Sequence, residues 1–232
     1  MWAVFGRILV EVLTVPNVTA VCRLEAIRDR MLPLVERRVT DEEFVVRGHL
    51  AEQLEGVARA LVAFGEDGYQ LMVEFILTSL RRLVVDMQPE VRIAAGESLV
   101  KVAAMMRAED IGTKLLTVVL HLVHNAEAED MRMTGAVLLN EFATSLGPEL
   151  CGQFVVPELT YLANDSVFRV RKATALNMDA VCRCIGPHET EAKLLPAFLH
   201  LAEDDIWGVR KACAESVVCV SKALIPSTRV SK

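Results

Sequence analysis

Aromatic residues are scarce in this sequence. They make up 5% of its 232 residues, although 53% of the residues are hydrophobic. Leu, Val and Ala supply most of that hydrophobic content, and they suit close packing between helices better than the aromatic and β-branched faces of a sheet. The scarcity of aromatic residues therefore favours an all-α fold over a β-sandwich.

Long basic runs are also absent. The formal net charge is −6, and no basic run is longer than Arg37-Arg38 or Arg81-Arg82. Binding to nucleic-acid phosphates requires clustered Lys and Arg side chains. The sequence therefore argues against a nucleic-acid partner.

The six cysteines form no Cys-x-x-Cys pair. Most of them lie among Val, Ala and Leu in predicted helices, where a free thiol behaves as a small hydrophobic group. Cys182 and Cys184 are two residues apart and so point to different sides of a helix. This usage predicts a reducing compartment, which is the cytoplasm, with the nucleus as an alternative.

No uncharged run reaches the roughly 18 residues that a membrane-spanning helix needs. The N-terminal segment up to Cys22 is apolar, but Arg7 and Glu11 interrupt it, Pro16 follows, and no basic segment precedes it. That pattern differs from a secretory signal peptide. We therefore predict no membrane partner.

Motifs of known catalytic sites are missing. The sequence has no glycine-rich phosphate loop, no Gly-x-Ser-x-Gly and no His-Glu-x-x-His. His121 and His124 are three residues apart and share a helix face, but a metal site needs further ligands that no neighbouring pattern supplies. We predict no catalytic residue, no cofactor site and no metal site in this chain.

What the sequence does contain is an arginine-centred motif in five copies. The clearest copy runs from Asp204 to Ala212 (DDIWGVRKA), and the copy before it runs from Asp165 to Ala173 (DSVFRVRKA). The motif arginines are Arg47, Arg92, Arg132, Arg171 and Arg210. They recur at intervals of about 40 residues, a repeat length that is typical of two-helix solenoids. The spacing predicts an all-α, right-handed α-solenoid of about five antiparallel helix pairs.

The predicted helix pairs fill most of the chain. They cover residues 31–65, 69–106, 111–147, 150–186 and 188–224. Residues 1–30 are predicted to form an incomplete or diverged repeat or cap, and residues 225–232 a polar tail. Gly147-Pro148 and Gly186-Pro187 mark the ends of the third and fourth pairs.

Two apolar rows identify the buried face of the second helix in each pair. Counted from the motif arginine, positions +7 and +10 are apolar throughout and lie on one helix face. The +7 row is Leu54, Leu99, Leu139, Met178 and Val217, and the +10 row is Val57, Val102, Phe142, Val181 and Val220. One helix pair is too small to bury such a face, so we expect each pair to pack on its neighbours.

Polar residues of the motif predict a ladder of charges. Position −6 is aspartate in four copies, and the third copy has Ala126 instead. An aspartate in this turn can accept hydrogen bonds from free N–H groups at the start of the second helix. It can also pair with the motif arginine of its own or the next repeat. The predicted ladder contains Asp41, Arg47, Asp86, Arg92, Arg132, Asp165 and Asp204, and its weakest point is predicted at the third repeat.

Three large aromatic residues occupy position −3, in the turn between the two helices of a pair. They are Phe44, Phe168 and Trp207. Aromatic groups on a row of turns are frequent contact residues for a partner protein. The alternative is that they pack against the neighbouring turn and hold the second helix in place. The sequence leaves both interpretations open.

These same segments resemble a known family. Trp207–Glu215 (WGVRKACAE), Phe168–Lys172 (FRVRK) and Lys193–Pro196 (KLLP) are similar to the HEAT-repeat family and, more narrowly, to the family of serine/threonine-protein phosphatase 4 regulatory subunit 1, which resembles the phosphatase 2A scaffold. The likeness is strong over about residues 150–224 and is limited to the motif over residues 31–149.

The resemblance implies a non-catalytic regulatory or scaffold subunit. Such a subunit binds a serine/threonine phosphatase catalytic subunit and directs it to phosphoprotein substrates, and the metal ions belong to that catalytic partner. Partners of such scaffolds dock on the ridge of turns, so the resemblance implies the candidate contact residues Phe168, Arg171, Trp207, Arg210 and Phe44. The alternative is a HEAT-repeat adaptor for transport or complex assembly that binds no phosphatase.

Overall fold

The computed structural model describes residues 24–226. Within that range every regular element is helical and no β-strand is present. The chain divides into two compact units, Met1–Met106 and Arg107–Lys232. Each unit consists of consecutive antiparallel helix pairs.

Over its described residues, 24–106, the first unit contains two helix pairs. Its helices are α1 (Leu32–Val39), α2 (Phe44–Val62), α3 (Glu66–Leu71), α4 (Leu77–Leu83) and α5 (Pro89–Ala103). Helices α3 and α4 continue into one another through a π-helical turn at Met72–Ile76. The second helices of the two pairs, α2 and α5, pack along each other.

Between residues 107 and 226, the second unit contains three helix pairs. Its helices are α6 (Ala108–Asp110), α7 (Leu116–Val123), α8 (Glu129–Leu150), α9 (Val156–Ala163), α10 (Phe168–Leu176), α11 (Asp179–Ile185), α12 (Pro187–Glu189), α13 (Leu195–Ala202) and α14 (Trp207–Lys222). Helix α8 packs against α10 and α11, and α10 packs against α14. Adjacent second helices therefore lie side by side here as well.

A π-helical turn recurs in the first helix of every pair, which the sequence analysis did not anticipate. The five turns are Ile27–Met31, Met72–Ile76, Ile111–Leu115, Cys151–Val155 and Thr190–Leu194. Each turn begins at a buried residue, at the same offset before the motif arginine in four repeats and one position earlier in the third. Because isolated π turns are rare in helices, this regular recurrence makes the π turn a structural part of the repeat.

Three glycines connect one helix pair to the next. Gly65, Gly147 and Gly186 have φ values of 78°, 77° and 83°, which lie in the left-handed region that glycine enters without strain. Gly147 breaks the helical path inside α8 before Pro148 begins the next helix. Helix α3 begins at Glu66 directly after Gly65, so the second helix pair begins before the predicted start at residue 69.

Burial along the second helices follows the predicted rows with one exception. Leu54, Leu99 and Leu139 at position +7 are fully buried, and all five residues at +10 are buried. Val217 at +7 is 45% exposed, so its predicted burial is wrong. In the described residues no helix lies over that side of α14, whereas the corresponding side of α10 packs against α14.

Candidate protein-binding surface

Arginine–aspartate pairs join consecutive helix pairs within each unit. In the first unit, Arg47 Nε and Nη2 donate to the two carboxylate oxygens of Asp86 at 2.6 and 2.9 Å. In the second unit, Arg132 binds Asp165 in the same way at 2.7 and 3.1 Å. In each case the motif arginine of one repeat holds the turn aspartate of the next repeat. Such two-point contacts fix geometry as well as charge.

The third pair of this kind is formed by Arg171 and Asp204. Arg171 Nε and Nη2 donate to the carboxylate oxygens of Asp204 at 2.6 and 3.1 Å. The remaining terminal nitrogen, Nη1, donates to the backbone carbonyls of Asp165 at 2.8 Å and Ser166 at 3.3 Å. Every nitrogen of this guanidinium is thus used inside the protein. Arg171 therefore belongs to the ladder, and its role in partner binding stays a prediction.

The aspartates also shape the turns that they occupy. One carboxylate oxygen of Asp41, Asp86, Asp165 and Asp204 accepts the backbone N–H two residues later, at 2.8–3.2 Å. That N–H belongs to the residue that immediately precedes the second helix. The aspartate therefore stabilises the approach to the helix, while the first N–H groups inside the helix are not its partners.

In the third repeat, Asn125 replaces the missing aspartate. Its Oδ1 accepts the backbone N–H groups of Glu127 at 3.1 Å and Ala128 at 2.8 Å. Arg132 Nη1 donates to the Asn125 carbonyl at 2.9 Å, as the other motif arginines do to their turn aspartates. The turn is one residue longer, so position −7 takes the place of −6. The third repeat thus lacks the ladder carboxylate, as expected from Ala126, but Asn125 supplies the hydrogen bonds of the turn.

Two ladder carboxyls have depressed pKa values. The hydrogen bond from Arg171 lowers the pKa of Asp204, and this outweighs the opposing effect of burial. For Asp86, burial acts to raise the pKa, but hydrogen bonds from Arg47 and from the Gln88 backbone, with nearby positive charge, outweigh it, so the pKa lies below its ordinary value. Both carboxylates are therefore held in their charged form.

The aromatic residues at position −3 all begin a second helix and remain accessible. Phe44 starts α2 and is 40% exposed, Phe168 starts α10 and is 41% exposed, and Trp207 starts α14 and is 70% exposed. The Arg169 guanidinium lies 6.0 Å from the Phe168 ring centre and also donates to Glu129 at 2.7 Å. Phe168 is thus partly held by its neighbours, whereas most of the Trp207 indole faces solvent.

Arg210 differs from the other motif arginines. Its Nη1 donates to the carbonyls of Asp204 and Asp205 at 2.7 and 2.9 Å, which repeats the backbone contacts of Arg171. Its Nε and Nη2 have no polar partner among residues 24–226. Arg210 therefore presents an exposed, oriented pair of N–H donors next to Trp207.

An open groove of about 600 Å³ lies beside the longer third turn in the second unit. His124, Asn125, Tyr161 and Asn164 contribute to its lining. The rings of His124 and Tyr161 are 5.0 Å apart, and His124 Nε2 lies 2.9 Å from Glu158 Oε2. That approach lacks hydrogen-bond alignment, and the buried Glu158 Oε2 has no hydrogen-bond partner among the described residues. Polar and aromatic side chains line this groove, and protein contact surfaces contain side chains of the same kinds.

Comparison with known proteins shows a resemblance to a repeat family. Residues 194–224 match the HEAT repeat family model. Over 182 residues, which is 77% of this chain, the sequence is 28% identical to serine/threonine-protein phosphatase 4 regulatory subunit 1 of Homo sapiens and to its counterpart in Rattus norvegicus. The chain spans about a fifth of the length of these relatives, 19%. The predicted resemblance to HEAT-repeat proteins and to this regulatory subunit is confirmed.

A solved structure supports the fold. The structure described as "Structural Basis of Microtubule Plus End Tracking by XMAP215, CLIP-170 and EB1" matches with a TM-score of 0.58, covers 97% of this chain and 84% of that chain, and is 16% identical. At that identity the match concerns the fold alone. The predicted all-α helical-repeat fold is confirmed.

Two further features of the described residues concern other kinds of site. No helix between residues 24 and 226 combines the length and apolarity needed to cross a membrane. In the same range no three His, Cys, Asp or Glu side chains are grouped so that they could hold a metal ion. His121 and His124 accordingly lack the further ligands that a metal centre requires.

Sequence reasoning missed two features of this surface, Asn125 and the full engagement of Arg171. The interval from Arg92 to Arg132 is one residue longer than the interval from Arg132 to Arg171. That difference indicated one additional residue but not its position in the repeat. For Arg171, the motif placed an aspartate in its own turn and another in the turn of the next repeat. It did not distinguish contact within a repeat from contact between repeats. The structure supplies both answers.

Proposed function

We propose that this chain is a non-catalytic scaffold that binds a serine/threonine phosphatase catalytic subunit of the phosphatase 4 type and directs it to phosphoprotein substrates. The observation that carries the proposal is the 28% identity to phosphatase 4 regulatory subunit 1 over 77% of the chain. The match to this regulatory subunit extends over 182 residues, whereas the HEAT family model matches residues 194–224. The match to the subunit therefore covers much more than a single repeat. The proposal places the chain in the cytoplasm, where free thiols such as Cys151 and Cys213 stay reduced.

The turn ridge of the second unit is the proposed contact surface. We define this ridge by Phe168, Trp207 and Arg210, which lie in the first turns of the second helices of two consecutive repeats. Trp207 offers a large aromatic surface and Arg210 offers two unused donors. Tryptophan and arginine are the residues that most often dominate protein–protein binding. The Arg171–Asp204 pair fixes the two turns to each other, so a partner meets a preorganised surface.

Direct binding to purified phosphatase 4 catalytic subunit tests this proposal. We expect the full chain to bind in about 150 mM salt, a condition that screens surface charge beyond roughly 8 Å. Trp207→Ala is expected to weaken binding by at least about tenfold, as expected for a central aromatic contact. The midpoint of thermal unfolding should barely move, because the indole is 70% exposed.

Ile93→Ala is the matched control. Ile93 is a large apolar residue that is 62% exposed, and it belongs to α5 of the first unit, whereas the turn ridge belongs to the second unit. It should leave binding unchanged. Absence of binding by the wild-type chain would overturn the phosphatase proposal and leave the adaptor alternative. A large loss of stability in Trp207→Ala would show instead that the indole holds the second helix in place.

A further inference from the structure

The outer face of α14 has the pattern of an internal packing face, yet it is open. We define this face by Ala214, Val217, Val218 and Ser221, at positions +4, +7, +8 and +11 from the motif arginine. Ala214, Val217 and Val218 are exposed and Ser221 is half-buried. The four earlier copies bury positions +4, +7 and +11 completely or nearly so. At +4 these residues are Ala51, Gly96, Ala136 and Ala175, and at +11 they are Ala58, Ala103, Ala143 and Cys182.

Contacts within the units show what covers these positions elsewhere. Ser98 Oγ donates to the carbonyl of Ala51 at 2.6 Å, and Ser216 Oγ lies 2.8 Å from the carbonyl of Ala175. Both serines are at position +6 of the following repeat. Positions +4 and +6 therefore meet when one repeat packs on the next. The same positions on α14 would accept the leading face of another repeat.

Because of Arg210, this face favours an occupant that carries a negative charge. Arg47, Arg132 and Arg171 each hold an aspartate of the following repeat with Nε and Nη2. Arg210 makes the same backbone contacts through Nη1 and leaves Nε and Nη2 open among the described residues. An occupant of the outer face is therefore expected to place a carboxylate beside Arg210.

The first repeat carries a matching leading face. Asp41 is the one motif aspartate that no motif arginine precedes in the sequence. It is held by Arg38, three residues earlier and 44% exposed, while Asp41 itself is 16% exposed. Leu34 is 40% exposed, and Gln53 at position +6 is exposed, whereas Ser98 and Ser216 at +6 are buried against the preceding repeat. We define Leu34, Asp41 and Gln53 as the leading face.

We propose that the outer face of α14 docks the leading face of a second copy of this chain, with Arg210 of one copy holding Asp41 of the other. The contact reproduces the packing between consecutive repeats of one chain. Each copy therefore already carries the two complementary faces and the two charged residues that the contact needs. Arg210 replaces Arg38 as the partner of Asp41. Because the two faces differ, the association runs head to tail and is not a contact between two identical faces.

Sedimentation of the full chain across concentrations tests the proposal. The weight-average mass is expected to rise above that of the monomer between about 1 and 100 µM, the range of weak association. Arg210→Ala and Asp41→Ala should each remove that rise. An equimolar mixture of the two variants should form dimers and nothing larger, because each pair of copies then keeps one intact Arg210–Asp41 contact.

Two further variants keep the outcome interpretable. Arg59→Ala removes an exposed arginine that pairs with Glu55 on its own helix, and it should associate as the wild type does. Val217→Asp tests the apolar part of the face independently and should abolish association while the unfolding midpoint is retained. A wild-type chain that stays monomeric, or an Arg210→Ala chain that associates normally, would overturn the proposal and leave a different protein as the occupant of this face.

Discussion

Helices α10 and α14 begin with nearly the same sequence, yet their arginines have different roles. Both helices open with an aromatic residue, Phe168 or Trp207, followed three residues later by the motif arginine. Both arginines bind carbonyls of their own turn through Nη1. Arg171 also holds Asp204 of the next repeat, whereas Arg210 has no carboxylate partner among the described residues. The motif therefore determines how the turn folds, and the following repeat determines whether the arginine is structural or available.

The largest expected effect separates these two arginines. Arg171→Ala should lower the free energy of unfolding by about 3 kcal/mol, because it leaves the largely buried Asp204 carboxylate without its ion-pair partner. Arg210→Ala should cost about 0.5 kcal/mol, as an exposed substitution does. Denaturant titration of both variants measures the difference. Equal losses would show that the contacts with the turn carbonyls dominate and that the Arg171–Asp204 pair adds little.

The apolar position +7 sharpens the same comparison. Met178 follows the fourth motif arginine and is 1% exposed, whereas Val217 follows the fifth and is 45% exposed. Met178→Ala should cost about 2 kcal/mol or more because it leaves a cavity. Val217→Ala should change stability by less than about 0.5 kcal/mol. A comparable loss in Val217→Ala would mean that the outer face of α14 is covered in the free protein.

The smallest effect is expected in the response to acid. Asp204 has a pKa below its ordinary value of 3.8, so its contribution to stability is present above that value and is lost as the pH falls through the lower folded-state pKa. Asp204→Asn removes this group, so its unfolding free energy should fall less than that of the wild type between about pH 5 and pH 2. Parallel pH profiles would show that Asp204 titrates alike in the folded and unfolded chains.

The sequence predicted the parts of the fold that depend on side-chain periodicity. Leu139 and Phe142 are buried because positions three residues apart share a helix face, and Gly147 and Gly186 end helices because they adopt positive φ. The π turns were not predictable in this way, since a single widened turn leaves almost no trace in the apolar pattern. The role of Asn125 was hidden for a similar reason, because one additional residue in a turn shifts the motif register.

The candidate surface was less predictable than the fold. The aromatic residues at −3 were identified from their spacing, but exposure decides between docking and packing, and exposure depends on neighbouring turns. Phe168 has Arg169 over its ring, while Trp207 stays 70% exposed. Likewise, Val217 has the sequence of a core residue, and only the absence of a covering helix in the described part of the chain makes it a surface residue.

A double-mutant cycle on Arg171 and Asp204 tests the central claim, that side-chain pairs join successive repeats and make an unpaired motif arginine available for binding. The cycle compares the unfolding free energies of wild type, Arg171→Ala, Asp204→Ala and the double variant. We predict that the double variant is more stable than the sum of the single losses implies, by about 1.5 kcal/mol or more. Additive losses would contradict this claim, because the Arg171–Asp204 contact would then contribute nothing to the free energy of unfolding. Arg171 and Arg210 would differ in their contacts but not in their contribution to stability.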